Sequence, residues 1–196
     1  MTPPAIFFVR HGQTDWNAEG RLQGQADTPL NETGRGQAAG NGRKLFQLVK
    51  DPAAIDFVAS PLSRTRETME ILRAAMGLDP KAYRTEPRLV ELHFGDWQGH
   101  TYDELELVDP GCSARRDADK WHFVPPGEAA ESYEMLSARI RSWFQEVSRD
   151  TICVTHGGVI RSIFRLTRQH SIEECAALPI PQDKVLRYEN GRLDWL

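Results

Sequence analysis

Apolar residues come along this chain in short bursts, and the period inside each burst assigns it to a strand or a helix. Ala5-Ile6-Phe7-Phe8-Val9 is a continuous apolar run that ends abruptly in Arg10-His11, the pattern of a strand buried on both faces. Residues 10–30 are rich in Gly, Gln, Asn and Asp and read as an irregular loop, too long for a simple connection and therefore functional. Asn31 is placed to cap a helix running to about Val49, since its side-chain oxygen can accept the free N–H groups of a first turn. Ile55-Asp56-Phe57-Val58-Ala59 reads as a second strand, which Ser60-Pro61 ends. Met69, Leu72 and Met76 then share one face of a helix from Ser63 to Met76, with Gly77 at the left-handed position past its end.

Periodicity fades between His93 and Pro126, where Gly, Asp, Arg and Trp are mixed. Short helices are predicted there, forming an insertion over one edge of the domain rather than part of its core. Tyr133, Leu136, Ile140, Phe144 and Val147 restore helical spacing over residues 131–149, and Thr151-Ile152-Cys153-Val154 is a further buried strand. His156-Gly157-Gly158 opens the next helix, and Ser171-Ile172-Glu173-Glu174 has capping-box form. Asn190-Gly191, between two alternating stretches from Val185 to Leu196, is a hairpin signal. Strands alternating with helices predict an α/β fold, a three-layer α/β/α sandwich whose sheet is mainly parallel with an antiparallel edge from the last hairpin. A length of 196 residues fits a single domain.

Composition narrows the class of function. With 40% hydrophobic and 27% charged residues and a formal charge of -4, the chain reads as a soluble globular protein with no charge-based reason to bind nucleic acid. The first apolar run is too short for a signal-peptide core or a membrane span. Cys112, Cys153 and Cys175 are an odd number without CxxC spacing, so neither a disulfide framework nor a zinc ribbon is expected and a reducing cytoplasm fits best. Oligomeric state stays open, and a homodimer is compatible with the sequence.

Ligands of open α/β sheets bind beyond the carboxyl ends of the strands. The first strand delivers Arg10-His11-Gly12 there, the second Ser60-Pro61 with Arg64 one turn on, and the Thr151 strand Thr155-His156-Gly157-Gly158. Two arginines and two histidines match a phosphoryl group, because guanidinium forks bond phosphate oxygens bidentately and imidazole is a nucleophile at neutral pH. Glycines such as Gly157 allow close backbone approach at a helix N-terminus. Taken singly, the residues leave bland alternatives open: His156 as a hydrogen-bonded core histidine, Arg10 as a surface charge, Arg64 as a helix-surface partner of Glu67 or Glu70.

The run Phe8-Val9-Arg10-His11-Gly12-Gln13-Thr14-Asp15-Trp16-Asn17, continued through Gly20-Arg21-Leu22-Gln23-Gly24, resembles the histidine phosphatases, the superfamily that includes the cofactor-dependent phosphoglycerate mutases. Ser60-Pro61-Leu62-Ser63-Arg64-Thr65, Glu91 in Glu91-Leu92-His93-Phe94-Gly95, and Thr155-His156-Gly157-Gly158 extend the likeness over nearly the whole chain. The resemblance implies a phosphoglycerate mutase-like fold and a metal-independent phosphomonoesterase acting on a small phosphorylated substrate. His11 would be its phosphorylated nucleophile, Arg10, Arg64 and His156 its phosphate pocket, and Glu91 its proton donor; charge balance against a bound phosphomonoester of about -1.5 to -2 adds the expectation that His156 is protonated. Asn17 and Gln23 lie in the matching loop as phosphate or substrate contacts, with Gly157 beside the pocket. Gln13 stands where many members carry an acidic residue. Residues 125–132 resemble a family Pro-Gly-Gly-Glu-Ser segment but are stretched, leaving the place of that glutamate open between Glu128 and Glu131.

Two other readings accompany this one. A mutase would return the phosphoryl group to the substrate, and the shortness of the chain is expected to favour the phosphatase branch. A binding module would need the arginines but neither His11 nor Glu91. Thiolate catalysis lacks a Cys-x5-Arg loop, Asp117-Ala118-Asp119 does not follow a buried strand, and His93, His100, His122 and His170 lack the spacing of metal ligands. No cofactor is implied.

Overall fold

Alternate residues of the first strand enter two different apolar clusters, and that division organises the layers. The computed structural model describes residues 3–196. In chain order it contains β1 (Ile6–Arg10), α1 (Asp15–Ala18), α2 (Glu32–Leu48), β2 (Asp56–Ala59), α3 (Ser63–Ala75), β3 (Arg84–Thr85) and α4 (Tyr102–Val108). There follow α5 (Cys112–Ala118), α6 (Tyr133–Glu146), β4 (Thr151–Thr155), α7 (Gly157–Leu166), α8 (Ile172–Ala177), β5 (Val185–Glu189) and β6 (Arg192–Trp195). Phe7 and Val9 of β1 pack with Leu45 of α2 and Met69 and Leu72 of α3. Ile6 and Phe8 face the other way, onto Leu136, Ile140 and Trp143 of α6 and Val159, Ile160 and Ile163 of α7. A central strand with helices on both faces must be apolar on both, which is why its sequence runs without alternation.

The six strands lie in the order β3-β2-β4-β1-β5-β6. β1, β4, β2 and β3 are mutually parallel, and β5 and β6 complete the sheet antiparallel. The expected α/β sandwich with a mainly parallel sheet and an antiparallel edge is therefore what forms. In register, Arg10 lies opposite Thr155 and Ala59 opposite Val154, so the residues that follow three strands emerge side by side. The hairpin turn places Asn190 at φ 51° and Gly191 at φ 79°, the left-handed pair that a two-residue turn requires. Asn31 caps α2 by accepting from the Gly34 N–H, and Ser171 and Glu174 form a capping box on α8.

Some elements depart from the pattern read along the chain. The loop after β1 holds a single helical turn, α1, closed by a capping box between Thr14 and Asn17. β3 is two residues long and too short to leave a periodic trace. The segment from His93 to Pro126 does contain short helices, but Trp97, Leu105, Cys112 and Trp121 are buried in the same cluster as β1 and α6. The expectation that this stretch stands apart from the core is overturned, since two indoles placed there bury too much apolar surface to remain peripheral.

The loop after β1 docks directly on the first turn of α2. A Cβ on Gly34 would lie 2.1 Å from the Gln13 carbonyl oxygen, and one on Gly12 would lie 2.2 Å from the Gly34 carbonyl oxygen. Backbone meets backbone there, so no rotamer change can relieve an added methyl. Gly34→Ala is expected to lower unfolding free energy by about 1–3 kcal/mol, read from urea denaturation; an unchanged midpoint would show that the loop and helix separate freely.

Candidate active site

β1 and β4 lie next to one another and end together, so His11 and His156 leave the sheet as neighbours, with ring centroids 5.2 Å apart. His11 is held at both backbone groups, its N–H donating to the Thr155 carbonyl at 2.8 Å and its C=O accepting from Gln182 Nε2 at 3.0 Å. Its ring Nδ1 lies 2.8 Å from the Gly12 carbonyl oxygen. A carbonyl can only accept, so Nδ1 carries the proton and Nε2 keeps its lone pair. Burial, followed by the charges of Arg64 and Arg10, holds the His11 pKa well below the ordinary histidine value, so the ring is neutral at physiological pH.

Two guanidiniums share this end of the sheet. Arg64, fully buried, donates Nη1 and Nη2 to the carbonyls of Ala26 and Gly24, both at 2.7 Å. It takes no part in the surface pairing with Glu67 or Glu70; those acids pair with Arg35 and Lys81. Arg10 donates Nη1 to the Ile180 carbonyl at 2.7 Å. Burial lowers both guanidiniums to about 10, which leaves them charged at neutral pH. The Nε of each is buried without an acceptor among the described residues. Buried donors are ordinarily satisfied, and both residues line a cavity of about 140 Å³ together with His11, Asn17, Gln23, Glu91 and Gly157. Charged, unpartnered N–H groups around so small a space fit an oxyanion.

Glu91 closes one side of the cavity. Its carboxylate accepts from the Gly158 N–H at 3.0 Å and the Leu92 N–H at 2.9 Å, and a Cβ on Gly158 would lie 2.2 Å from Glu91 Oε1. Only a glycine lets the first turn of α7 approach the acid so closely. Arg139 fixes the segment from behind, donating to the Arg88 and Val90 carbonyls at 2.6 and 3.0 Å and pairing with Glu131 at 2.9 Å. Glu131, not exposed Glu128, is the glutamate of that stretch built into the structure. Asn17 Oδ1 accepts from the Thr14 N–H and from Gln182 Nε2. Gln23 Oε1 accepts from the Thr28 hydroxyl at 2.9 Å.

His156 sits differently from what the pattern implied. It is fully buried behind His11 and is not among the cavity-lining residues. Its Nε2 lies 2.8 Å from Ser60 Oγ, and its Nδ1 has no partner among the described residues. Burial, followed by the neighbouring Arg64, holds its pKa well below the ordinary value. The charge balance that would protonate His156 counts a bound phosphomonoester; without that dianion, burial and then the neighbouring cations keep the ring neutral.

Several lining residues escaped the linear pattern. Tyr133, Arg161, Phe94, Leu22 and Arg21 all border the cavity. Arg161 stands four residues after Gly157 on one helix face, a spacing that could have flagged it. Gln182 had no such signal, since its contacts to residues 11 and 17 span the chain. Trp97 and Trp121 are packed in the core and are not among the residues lining the cavity. Among the described residues no group of three or more His, Cys, Asp and Glu side chains is placed to hold a metal ion.

The family model of the histidine phosphatase superfamily (branch 1) matches residues 6–195. The chain belongs to that superfamily. It is 36% identical over 168 residues to phosphoglycerate mutase-like protein 4 of Arabidopsis thaliana, covering 83% of this chain and 70% of that one. It is 32% identical over 172 residues to the metal-independent phosphoserine phosphatase of the same plant, covering 85% and 70%. Among solved structures, native mycobacterial glucosyl-3-phosphoglycerate phosphatase superposes with a TM-score of 0.78 at 30% identity, covering 94% of this chain and 89% of that one. The superfamily fold is thus found with the six-stranded sheet described above.

The two neutral histidines make folding pH-dependent in a defined direction. Both have folded-state pKa values below their unfolded values, so in acid the unfolded chain binds protons that the folded pocket refuses, and stability falls as pH falls. The loss is expected to begin at about pH 6.5 and to approach about 1.4 kcal/mol per pH unit for each histidine. Urea midpoints should stay level above that pH and drop between about pH 6.5 and 5, with His11→Asn removing about half of the slope. A level midpoint across that window would mean that the imidazoles protonate within the folded protein.

Proposed function

We propose that this histidine phosphatase hydrolyses small phosphomonoesters by transferring the phosphoryl group to Nε2 of His11 and then to water. The observation that carries the proposal is the hydrogen bond from His11 Nδ1 to the Gly12 carbonyl, which leaves Nε2 unprotonated in a cavity bordered by the unpartnered Nε groups of Arg10 and Arg64. A phosphomonoester carries about -1.5 to -2 charges near neutrality, and the two guanidiniums supply its counter-charge. Phosphoryl transfer passes through a loose transition state with charge on the equatorial oxygens, so positioning and fixed donors supply most of the acceleration.

In the first step the P–O bond to the alkoxide breaks as the His11 Nε2 lone pair bonds to phosphorus, and protonated Glu91 gives its proton to the departing oxygen. In the second step water attacks the phosphohistidine, its proton returns to Glu91, and phosphate leaves with His11 restored. His156, buried beside His11 at 5.2 Å between ring centroids and held at Nε2 by Ser60 Oγ, is assigned to backing the His11 ring, since it does not itself line the cavity. Asn17, Gln23 and Gly157, which line the cavity, are assigned to substrate contact. The relatives named as a phosphoserine phosphatase and a glucosyl-3-phosphoglycerate phosphatase support a small phosphorylated metabolite as substrate. Three buried, unpaired cysteines suit a reducing compartment, and we place the protein in the cytoplasm; no helix of the described residues is long and apolar enough to cross a membrane.

The test is hydrolysis of an aryl phosphate in EDTA, with acid quenching to trap the phosphoenzyme. His11→Ala is expected to abolish both turnover and labelling, and Glu91→Gln to slow alkyl phosphate hydrolysis by about 10²–10⁴-fold while the aryl substrate, whose leaving group needs little protonation, loses far less. Label that forms but passes to a second hydroxyl of the substrate instead of to water would identify a mutase. Metal-dependent turnover that survives His11→Ala would end the proposal.

A further inference from the structure

The cavity holds more positive charge than a phosphate needs. Besides Arg10 and Arg64 it is lined by Arg161 and Arg21. The Arg21 charge is neutralised by Glu19 and Glu104, each at 2.6 Å. Arg161 has no such partner: its Nε donates to the Leu178 carbonyl at 2.9 Å, its Nη1 lies 3.4 Å from the Tyr133 hydroxyl, and its Nη2 bonds nothing among the described residues. A Cβ on Gly157 would lie 3.4 Å from Arg161 Nη1 and 3.5 Å from Arg10 Nε, so the two guanidiniums edge one spot at the N-terminus of α7. After burial, Arg161 is the largest cause that lowers the Arg10 pKa, opposed by the Glu91 carboxylate, so the two guanidiniums repel one another across this spot.

Charge balance gives the excess a meaning. When Glu91 carries the proton that the first step requires, three guanidiniums face about two negative charges on the phosphate. One positive charge remains, at Arg161. The field continues outward, where burial, Arg116 and Arg161 push the Lys120 ammonium down to about 8. A surplus of one matches a carboxylate, a monoanion at neutral pH, better than a second phosphate. Arg161 is also preorganised for it, because the bond to Leu178 pins Nε and leaves the outer edge of the planar fork to meet a carboxylate.

We propose that Arg161, with the Tyr133 hydroxyl beside it, forms a subsite for a carboxylate of the substrate, so that the preferred phosphomonoesters are phosphorylated hydroxy or amino acids. The inference rests on the phosphatase reading above for the placement of the phosphoryl group beside His11.

The experiment uses two matched pairs of ligands that differ by the carboxylate: O-phosphoserine against O-phosphoethanolamine, and phosphoglycolate against ethyl phosphate. Both calorimetric affinity and kcat/KM are measured on the wild-type chain, Arg161→Met and Arg161→Lys. The carboxylated member of each pair is expected to be favoured by about tenfold or more, the worth of one charge-assisted hydrogen bond or ion pair. That ratio should collapse towards one in Arg161→Met and recover in part in Arg161→Lys, which keeps the charge and loses the fork. Ratios near one in the wild-type chain, or ratios that persist in a folded Arg161→Met, would overturn the subsite. Hydrolysis of an aryl phosphate together with ratios near one would leave the phosphatase reading standing alone. Tight, Arg161-dependent binding of the carboxylated ligands without turnover or phosphoenzyme would do the reverse.

Discussion

The parallel register of β1 against β4, with Arg10 opposite Thr155, is the constraint on which the site depends. A slip of one residue would exchange the faces of β1, sending Phe7 and Val9 towards α6 and α7 and Ile6 and Phe8 towards α2 and α3. Both helical layers are packed around the existing assignment, so the core enforces the register and the register delivers His11 beside His156. The Thr155 carbonyl then accepts the His11 N–H, extending the ladder one residue past the strand to His11 itself. The loop that follows is trapped between this ladder and the close glycine contact with α2, which leaves the His11 backbone little room to move.

A second consequence is a pocket whose guanidiniums carry more positive charge than the Glu91 carboxylate offsets. Arg10 and Arg64 are buried against backbone carbonyls instead of carboxylates. Carbonyl dipoles hold the planar guanidiniums in place and satisfy part of their donors, yet cancel little of their charge. Such an arrangement stores unfavourable electrostatic energy in the folded protein that an incoming anion relieves. Burial, and then the same field, keeps the two imidazoles neutral, and neutrality is what a nucleophilic nitrogen needs. Stability and function therefore pull against each other at this point, and the surrounding apolar layers carry the difference.

Much of the fold was legible because its elements repeat simple periods. The unbroken apolar run at residues 5–9, the helical spacing of Leu136 and Ile140, and the Asn190-Gly191 turn each follow from local chemistry. The meeting of Arg10, His11 and Arg64 was legible too, since each follows a predicted strand by a short distance and parallel strands end on one side. Arg139 and Gln182 were not. Their partners are the backbone of residues 88–91 and of His11, and a side chain that serves a distant carbonyl leaves no mark on its own neighbourhood. Trp97 and Trp121 were hidden for a related reason: their burial comes from β1 and α6, not from the irregular segment that carries them.

By itself, then, the sequence determined every strand but β3, the major helices, the family and the set of groups at the strand ends, because these depend on local patterning and on residue type. The tertiary structure alone decided the chemical state of those groups. Which nitrogen of His11 holds its proton depends on the Gly12 carbonyl, whether His156 is charged depends on Arg64 and on burial, and whether Arg161 is paired depends on which elements lie against α7. Except for the Gly12 carbonyl, which belongs to the next residue, these states are set by distances to atoms far away along the chain, and those distances exist only once the layers have packed.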